Sequence, residues 1–223
     1  MLILKRLKSV ITNKNQKRNL ITFSNPESII TEEFRTIRTN IQFSANEKPS
    51  KTILMTSPSL QEGKSTTVAN LAVSIAQQKE KVLIIDADLR SPRIHSIFKL
   101  DNSLGLSSVL TNQNWFEEAV KETNIGKLEV LTSGPLPDNP AELLGSNAFS
   151  RLLETASQSY DVILIDSPPL LEVSDTKLLA NQCKTVVLVL RHGKSKIEKA
   201  VEAKKVLKFA KAELIGAIIN EKS

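Results

Sequence analysis

The chain has 223 residues, 40% of them apolar and 4% aromatic, enough for one well-buried domain and short for two. No stretch approaches the roughly 18 uninterrupted apolar residues of a membrane span, and one cysteine, Cys183, excludes an internal disulfide and fits a reducing compartment. The net charge of +6 has an uneven origin: residues 1–20 hold six of the 30 Lys and Arg and no acid, so the rest of the chain is near neutral, which argues against a nucleic-acid groove.

Residues 1–24 read as a basic N-terminal arm. Lys5, Arg6 and Lys8 break up its apolar stretch, so it is not a signal peptide. Two readings stay open: a solvated, poorly ordered terminus, or a segment drawn to anionic lipid by about 1 kcal/mol per basic residue near the surface. Residues 25–223 are expected to form a single domain, and the chain is read as cytoplasmic.

That domain opens with a helix over 27–43. Within Pro26–Ser44, Ile30, Phe34, Ile37 and Ile41 recur at spacings of four and three, within an arc of roughly 60°. Glu32, Arg35 and Arg38 fall on another arc and are expected to face outward. From spacing alone they make a solvated face with a local Glu–Arg pair, worth a few tenths of a kcal/mol.

Apolar, β-branched runs follow at Thr52–Met55, Lys81–Ile85, Leu128–Leu131, Val162–Ile165, Thr185–Leu190 and Leu214–Ile219. Most are too continuous to be half-exposed strands. Helical patterns fall between them at Lys64–Gln78, Ser146–Ser157, Ser174–Asn181 and Ser195–Lys211. The alternation predicts an α/β fold, a mostly parallel sheet with helices on both faces. The segment Gly134–Pro140 reads as a surface loop.

Three stretches carry chemistry. After the first of these runs comes T-S-P-S-L-Q-E-G-K-S-T-T, residues 56–67. Strand, G-K-S-T and helix together form a phosphate loop, in which backbone amides and the helix dipole meet phosphate. Gln61, Glu62, Gly63, Lys64, Ser65 and Thr66 are the nucleotide-binding candidates. Lys64 brings a cation to the β- and γ-phosphates, and the Ser65 hydroxyl is placed for Mg²⁺. The loop departs from the common pattern, with Pro58 in place of its first glycine and Leu60 and Gln61 where glycine is usual. A non-glycine residue at positive φ costs about 1 kcal/mol or more.

The second stretch, V-L-I-I-D-A-D-L-R-S-P, places Asp86 and Asp88 on one side of an extended strand end. Two close carboxylates repel and favour a divalent cation, or position a hydroxyl. The third, Tyr160-Asp-Val-Ile-Leu-Ile-Asp166-Ser-Pro-Pro169, has the form of the second Mg²⁺-binding element of phosphate-loop proteins. His95, His192 and Cys183 lack metal-ligand spacing and read as structural.

These three stretches, with Glu32-Glu-Phe-Arg35-Thr-Ile-Arg38 and Thr132–Ser146, resemble the bacterial tyrosine kinases of capsule and exopolysaccharide synthesis. The resemblance implies a phosphate-loop fold of ParA/MinD-like architecture and an ATP- and Mg²⁺-dependent transfer of phosphate to tyrosine. By motif, Lys64, Asp86 and Asp88 would be catalytic, with Asp86 orienting or deprotonating the tyrosine hydroxyl. Ser65, Asp88 and Asp166 would hold the metal. Glu32, Arg35 and Arg38 would lie at the interface of a ring-shaped homo-oligomer. The implied partners are tyrosine-bearing proteins and a membrane-spanning activator, a polysaccharide co-polymerase, which would bring the chain to the inner face of the plasma membrane. Members usually end in a tyrosine-rich tail, whereas the only tyrosine here is Tyr160, which reads as structural. Two other readings remain: a ParA/MinD-like partner-switching ATPase, disfavoured because Ser59 stands where that group has its signature lysine, and a catalytically weakened nucleotide-binding scaffold.

Overall fold

In the computed structural model, which describes residues 2–8, 20–46, 51–112 and 114–221, eight strands form one sheet. They are β1 (Leu2–Lys8), β2 (Thr52–Thr56), β3 (Val82–Asp86), β4 (Val120–Glu122), β5 (Leu128–Leu131), β6 (Val162–Asp166), β7 (Thr185–Arg191) and β8 (Glu213–Glu221). Their order across the sheet is β1-β8-β7-β2-β6-β3-β5-β4, and every pair is parallel except β4 with β5. The helices are α1 (Ile21–Ser24), α2 (Ile29–Asn46), α3 (Lys64–Ala76), α4 (Ile94–Phe98), α5 (Leu106–Leu110), α6 (Phe116–Ala119), α7 (Pro140–Leu144), α8 (Asn147–Ser159), α9 (Asp175–Cys183) and α10 (Ile197–Phe209).

Continuous apolar runs produce this arrangement because successive side chains on a strand point to opposite faces and both faces are covered. Ile53 and Met55 of β2, Val82 and Ile84 of β3, Leu164 of β6, and Val187 and Val189 of β7 pack on one side with α2 and α3. Leu54, Leu83, Ile85, Ile163, Ile165, Val186 and Leu188 pack on the other with residues of α8, α9 and α10. Each such side chain contributes about 1.5–3 kcal/mol on burial. The two clusters therefore lock the register that positions the strand ends.

Two expectations change. Leu2–Lys8 of the basic arm pairs in parallel with β8 as the outermost strand, from Leu2 opposite Gly216 to Lys8 opposite Glu221. A segment so paired is not a wholly solvated terminus. On α2, the Ile30–Ile41 stripe faces the core as its spacing predicts, with Phe34, Ile37 and Ile41 buried. Arg38, however, does not face outward. It is buried, and its Nη1 donates to the Ser74 carbonyl of α3 and, at 3.3 Å, to the Ser74 hydroxyl. The physical reason is that α2 meets two neighbours, the sheet and α3, so the flank next to the apolar stripe is covered as well. Arg35 stays at the surface, 2.6 Å from Glu32.

Candidate functional site

Parallel register brings the carboxylates together. Asp86, the last residue of β3, lies opposite Asp166, the last residue of β6, and Asp166 lies opposite Met55 of β2. Residues paired in register point to the same face. Asp86 and Asp166 therefore share the side of the sheet on which α3 packs. Chain order adds the opening: it runs from β2 outward to β3 and β5, then returns to lay β7 and β8 on the other side of β2. Ligands of open α/β sheets bind at the carboxyl ends beside such a switch.

The loop between β2 and α3 bends over these ends. Gln61 adopts φ 61° and Gly63 φ 92°, so one of the two left-handed positions is met without glycine. Glycine suits position 63 because of that φ, and a Cβ there would also come within 2.1 Å of the Asn220 side-chain nitrogen and push it aside. Lys64, Ser65 and Thr66 open α3, where the first amides have no intrahelical acceptor. This is the geometry of an anion site. The Thr66 side is exposed, and Ser65 is half-buried.

Lys64 turns inward, with Nζ 3.5 Å from Asp88 Oδ2 and both side chains nearly sealed from solvent. Asp88 Oδ1 accepts the Ser91 amide at 3.0 Å. Asp86 is fully buried. Its Oδ2 accepts the amides of Arg93 at 3.1 Å and Ile94 at 3.0 Å, and its Oδ1 accepts that of Asp88 at 3.3 Å. Desolvation first, then the charge of Asp166, still holds the Asp86 carboxyl well above its ordinary range, against the pull of those amides. Asp166 differs: it is fully buried, and neither oxygen makes a well-formed hydrogen bond, although the Ser65 hydroxyl and the Ser167 amide lie near it. Lys64 and the Ser65 hydroxyl lie close enough to favour its charged form, but desolvation outweighs them and raises its carboxyl to about 6.

The structure thus gathers Gly63, Lys64, Ser65, Asp86, Asp88 and Asp166 at one point. Gln61 and Glu62 belong to the same loop, but the Glu62 carboxylate is buried and turned the other way, accepting the Ser59 amide at 2.8 Å and the Ser195 hydroxyl. Glu32, Arg35 and Arg38 are elsewhere, on α2. Sequence reading missed Ser195 and Asn220, which touch the loop from far along the chain, and the pair Arg90–Asp175. Arg90 grips the fully buried Asp175 through two bonds, Nε to Oδ2 at 2.8 Å and Nη2 to Oδ1 at 3.0 Å. That joins the turn after β3 to the start of α9. No local pattern signals any of these.

Among the described residues, no group of three or more His, Cys, Asp and Glu is arranged to cage a metal ion. The oxygens of Ser65, Asp88 and Asp166 nevertheless suit a hard cation. Mg²⁺ characteristically takes one or two carboxylates and completes its shell with water and phosphate. A buried carboxylate without a well-formed hydrogen bond is the feature a cation would satisfy.

Tyr160 lies at the opposite, amino-terminal edge of the sheet, just before β6. It is buried, donates its hydroxyl to Glu129, and has the Lys81 ammonium 4.6 Å above its ring. Burial, followed by that bond to a carboxylate, raises the phenol well above its ordinary range.

Comparison with known proteins agrees with this architecture. A family model described as an AAA domain matches residues 50–198. Tyrosine-protein kinase YwqD of Bacillus subtilis is 48% identical over 206 residues, which span 92% of this chain and 87% of that protein. Putative tyrosine-protein kinase CapB of Staphylococcus aureus is 41% identical over 202 residues, 91% of this chain and 89% of that one. Among solved structures, the chimerical protein CapA2B2 superposes with a TM-score of 0.90 at 38% identity, covering 98% of this chain and 93% of its own. The kinase domain of Escherichia coli tyrosine kinase ETK superposes at 0.88 and 32%, covering 93% and 82%. MinD from Pyrococcus horikoshii, at 23% identity and a TM-score of 0.65 over 76% of this chain and 69% of that one, shares the fold alone. On a phosphate-loop sheet of MinD-like architecture, with relatives this similar along most of its length, the chain belongs to the bacterial tyrosine-protein kinases.

Proposed function

We propose that this chain transfers the terminal phosphate of ATP to tyrosine hydroxyls and regulates capsular or exopolysaccharide synthesis. The carrying observation is the fully buried Asp166 carboxylate, without a well-formed hydrogen bond, beside Lys64, the Ser65 hydroxyl and Asp88 at the amino end of α3. A site built to hold its own charges would have satisfied that carboxylate. A site built for a cation and a polyphosphate leaves it waiting.

In this reading the loop amides, Gln61 to Thr66, cradle the triphosphate, and Lys64 exchanges Asp88 for phosphate. Ser65, Asp88 and Asp166 hold Mg²⁺. A cation held by these residues would supply neutralisation of the phosphate charge. Asp86, fixed by three backbone amides, orients the tyrosine hydroxyl. Phosphoryl transfer is accelerated chiefly by positioning and charge neutralisation, so a carboxylate can assist a phenol without removing its proton beforehand.

The proposed unit is one kinase domain, residues 25–223, behind a basic arm of 1–24. Its partners would be a membrane-spanning activator and tyrosine-bearing proteins, at the cytoplasmic face of the membrane. The α2 surface around Glu32 and Arg35 would join copies into a ring. Among the described residues, no helix is long and apolar enough to cross a membrane.

The test is incubation with Mg-ATP and a tyrosine-bearing partner, following phosphotyrosine and free phosphate together. Phosphotyrosine that disappears in Lys64→Met and Asp86→Ala supports the kinase. Phosphate release alone would replace it with a partner-switching ATPase, and nucleotide binding without turnover with a scaffold.

A further inference from the structure

The phosphate loop is held from outside by a segment to which no role has been given above. Between β7 and α10 the chain turns through His192–Lys196, and four residues of this region reach the loop. The Ser195 hydroxyl donates to Glu62 Oε1 and itself accepts the Arg191 amide at 2.7 Å. Lys194 Nζ donates to the Leu60 carbonyl at 2.9 Å, Arg191 Nη1 to the Gln61 carbonyl at 3.4 Å, and Lys199 Nζ to the Ser59 hydroxyl at 2.9 Å. Asn220 of β8 donates its side-chain amide to the Glu62 carbonyl at 3.1 Å. Every residue from Ser59 to Glu62 therefore has a partner more than 100 positions away.

The loop needs such support. Apart from Gly63 it lacks the glycines of the common pattern, and Gln61 sits at φ 61°, a conformation that costs a non-glycine residue about 1 kcal/mol or more. The contacts at the surface are individually weak. The buried one is not, because the Glu62 carboxylate is almost wholly withdrawn from water and depends on the Ser59 amide and the Ser195 hydroxyl for its hydrogen bonds.

We propose that Ser195, acting through the buried carboxylate of Glu62, together with Asn220, sets the conformation of the phosphate loop. Glu62 is then a positioning residue: its side chain faces the β7–α10 turn, and only its backbone is available to a phosphate. The loop is competent because the far end of the fold holds it, which substitutes for the missing glycines. This inference rests on the reading of residues 57–66 as a phosphate site, and its test has one arm that needs no nucleotide.

The experiment compares wild type, Ser195→Ala and Ser195→Thr, the last of which keeps a hydroxyl. Amide hydrogen exchange is followed in nucleotide-free protein, and ADP affinity with magnesium is measured by calorimetry. In Ser195→Ala, amides of residues 59–63 should exchange about tenfold faster while those of β2 and β6 keep their protection. ADP should bind about tenfold more weakly, and Ser195→Thr should restore both properties. Unchanged exchange in residues 59–63 overturns the proposal, whatever the affinity does. Faster exchange spread evenly through the sheet also overturns it, since that would report general loosening. If wild type binds neither ADP nor ATP, the phosphate reading falls, while the exchange arm still decides whether Ser195 sets the loop.

Discussion

Lys64 Nζ and Asp88 Oδ2 stand 3.5 Å apart, both nearly sealed from solvent, in the place where a phosphate would have to be received. The pair compensates a buried cation in the absence of ligand. If Lys64 receives phosphate as proposed, binding exchanges one anionic partner of this lysine for another. Lys64→Met should weaken ADP and ATP by about a hundredfold or more, as expected when a buried charge partner is deleted. Calorimetry with magnesium measures this directly, and binding within a few-fold of wild type would contradict the assignment.

Asp166 makes stability and function oppose each other. Its carboxyl is raised by desolvation from an ordinary value of 3.8 to about 6. A raised folded-state value means that the folded chain binds this proton more tightly than the unfolded chain. Its contribution is then favourable at low pH and is lost as pH rises from about 4 through about 6. At pH 7.5, nucleotide-free Asp166→Asn should melt a few degrees higher than wild type, and the difference should shrink toward pH 4. The same variant should lose phosphoryl transfer. Thermal melts across that range check it, and a lower melting temperature at pH 7.5 would count against the account.

Arg90 and Asp175 tie the turn bearing Asp88 to the start of α9. Asp175 is fully buried and Arg90 about half-exposed, so the pair is more than an ordinary surface bridge. Arg90→Ala leaves the carboxylate unpaired and should cost about 2 kcal/mol in urea unfolding, short of the fully buried case because water reaches the arginine. Asp175→Asn should cost less, since a neutral amide tolerates burial better. If Asp88 holds the metal as proposed, both should lower kcat more than they raise KM for ATP, because the turn they secure carries Asp88 and not the phosphate loop.

Arg35 and Arg38 share a motif but not an environment. Arg38→Ala should destabilise the fold by about 1–2 kcal/mol through its lost bonds to Ser74. Arg35→Ala removes an exposed pair with Glu32 and should change stability by less than about 0.5 kcal/mol. Light scattering on the two variants separates the roles. If α2 joins copies of the chain, Arg35→Ala should lower the assembly mass with the fold intact.

Tyr160 should never appear as phosphotyrosine. It is buried at the edge of the sheet farthest from Asp86, and its hydroxyl is committed to Glu129. Tyr160→Phe should cost about 1 kcal/mol of stability and leave phosphorylation of a partner protein unchanged. Mass spectrometry after incubation with Mg-ATP tests the first statement and a partner-kinase assay the second.

Six of the eight strands, and the acids that end β3 and β6, were readable because each carries a local pattern. Runs such as Val82–Ile85 and Val162–Ile165 are apolar at every position, and the acids that end them fall at the sheet edge by register alone. The brace on the phosphate loop was not readable. Glu62 and Ser195 are 133 positions apart, and a glutamate inside a phosphate loop gives no sign that it is buried facing away from the ligand. The direction of Arg38 escaped for a related reason. Helical spacing tells which residues share an arc, but it does not tell that a second helix, α3, covers the neighbouring arc. The short α4 and α5 lack the length for periodicity to register, and β1 hides its apolar residues among lysines and an arginine.

Both margins of the sheet bear on how the protein avoids sticking to itself. A parallel sheet with an open side offers unpaired amides and carbonyls to any passing strand. Here one border is the three-residue β4, too brief to template a long ladder, and set antiparallel. The other is β1, whose sequence places Lys5, Arg6 and Lys8 along its length. A short border on one side and a lysine- and arginine-bearing one on the other are both poor templates for a further strand, so growth of one sheet onto another is disfavoured.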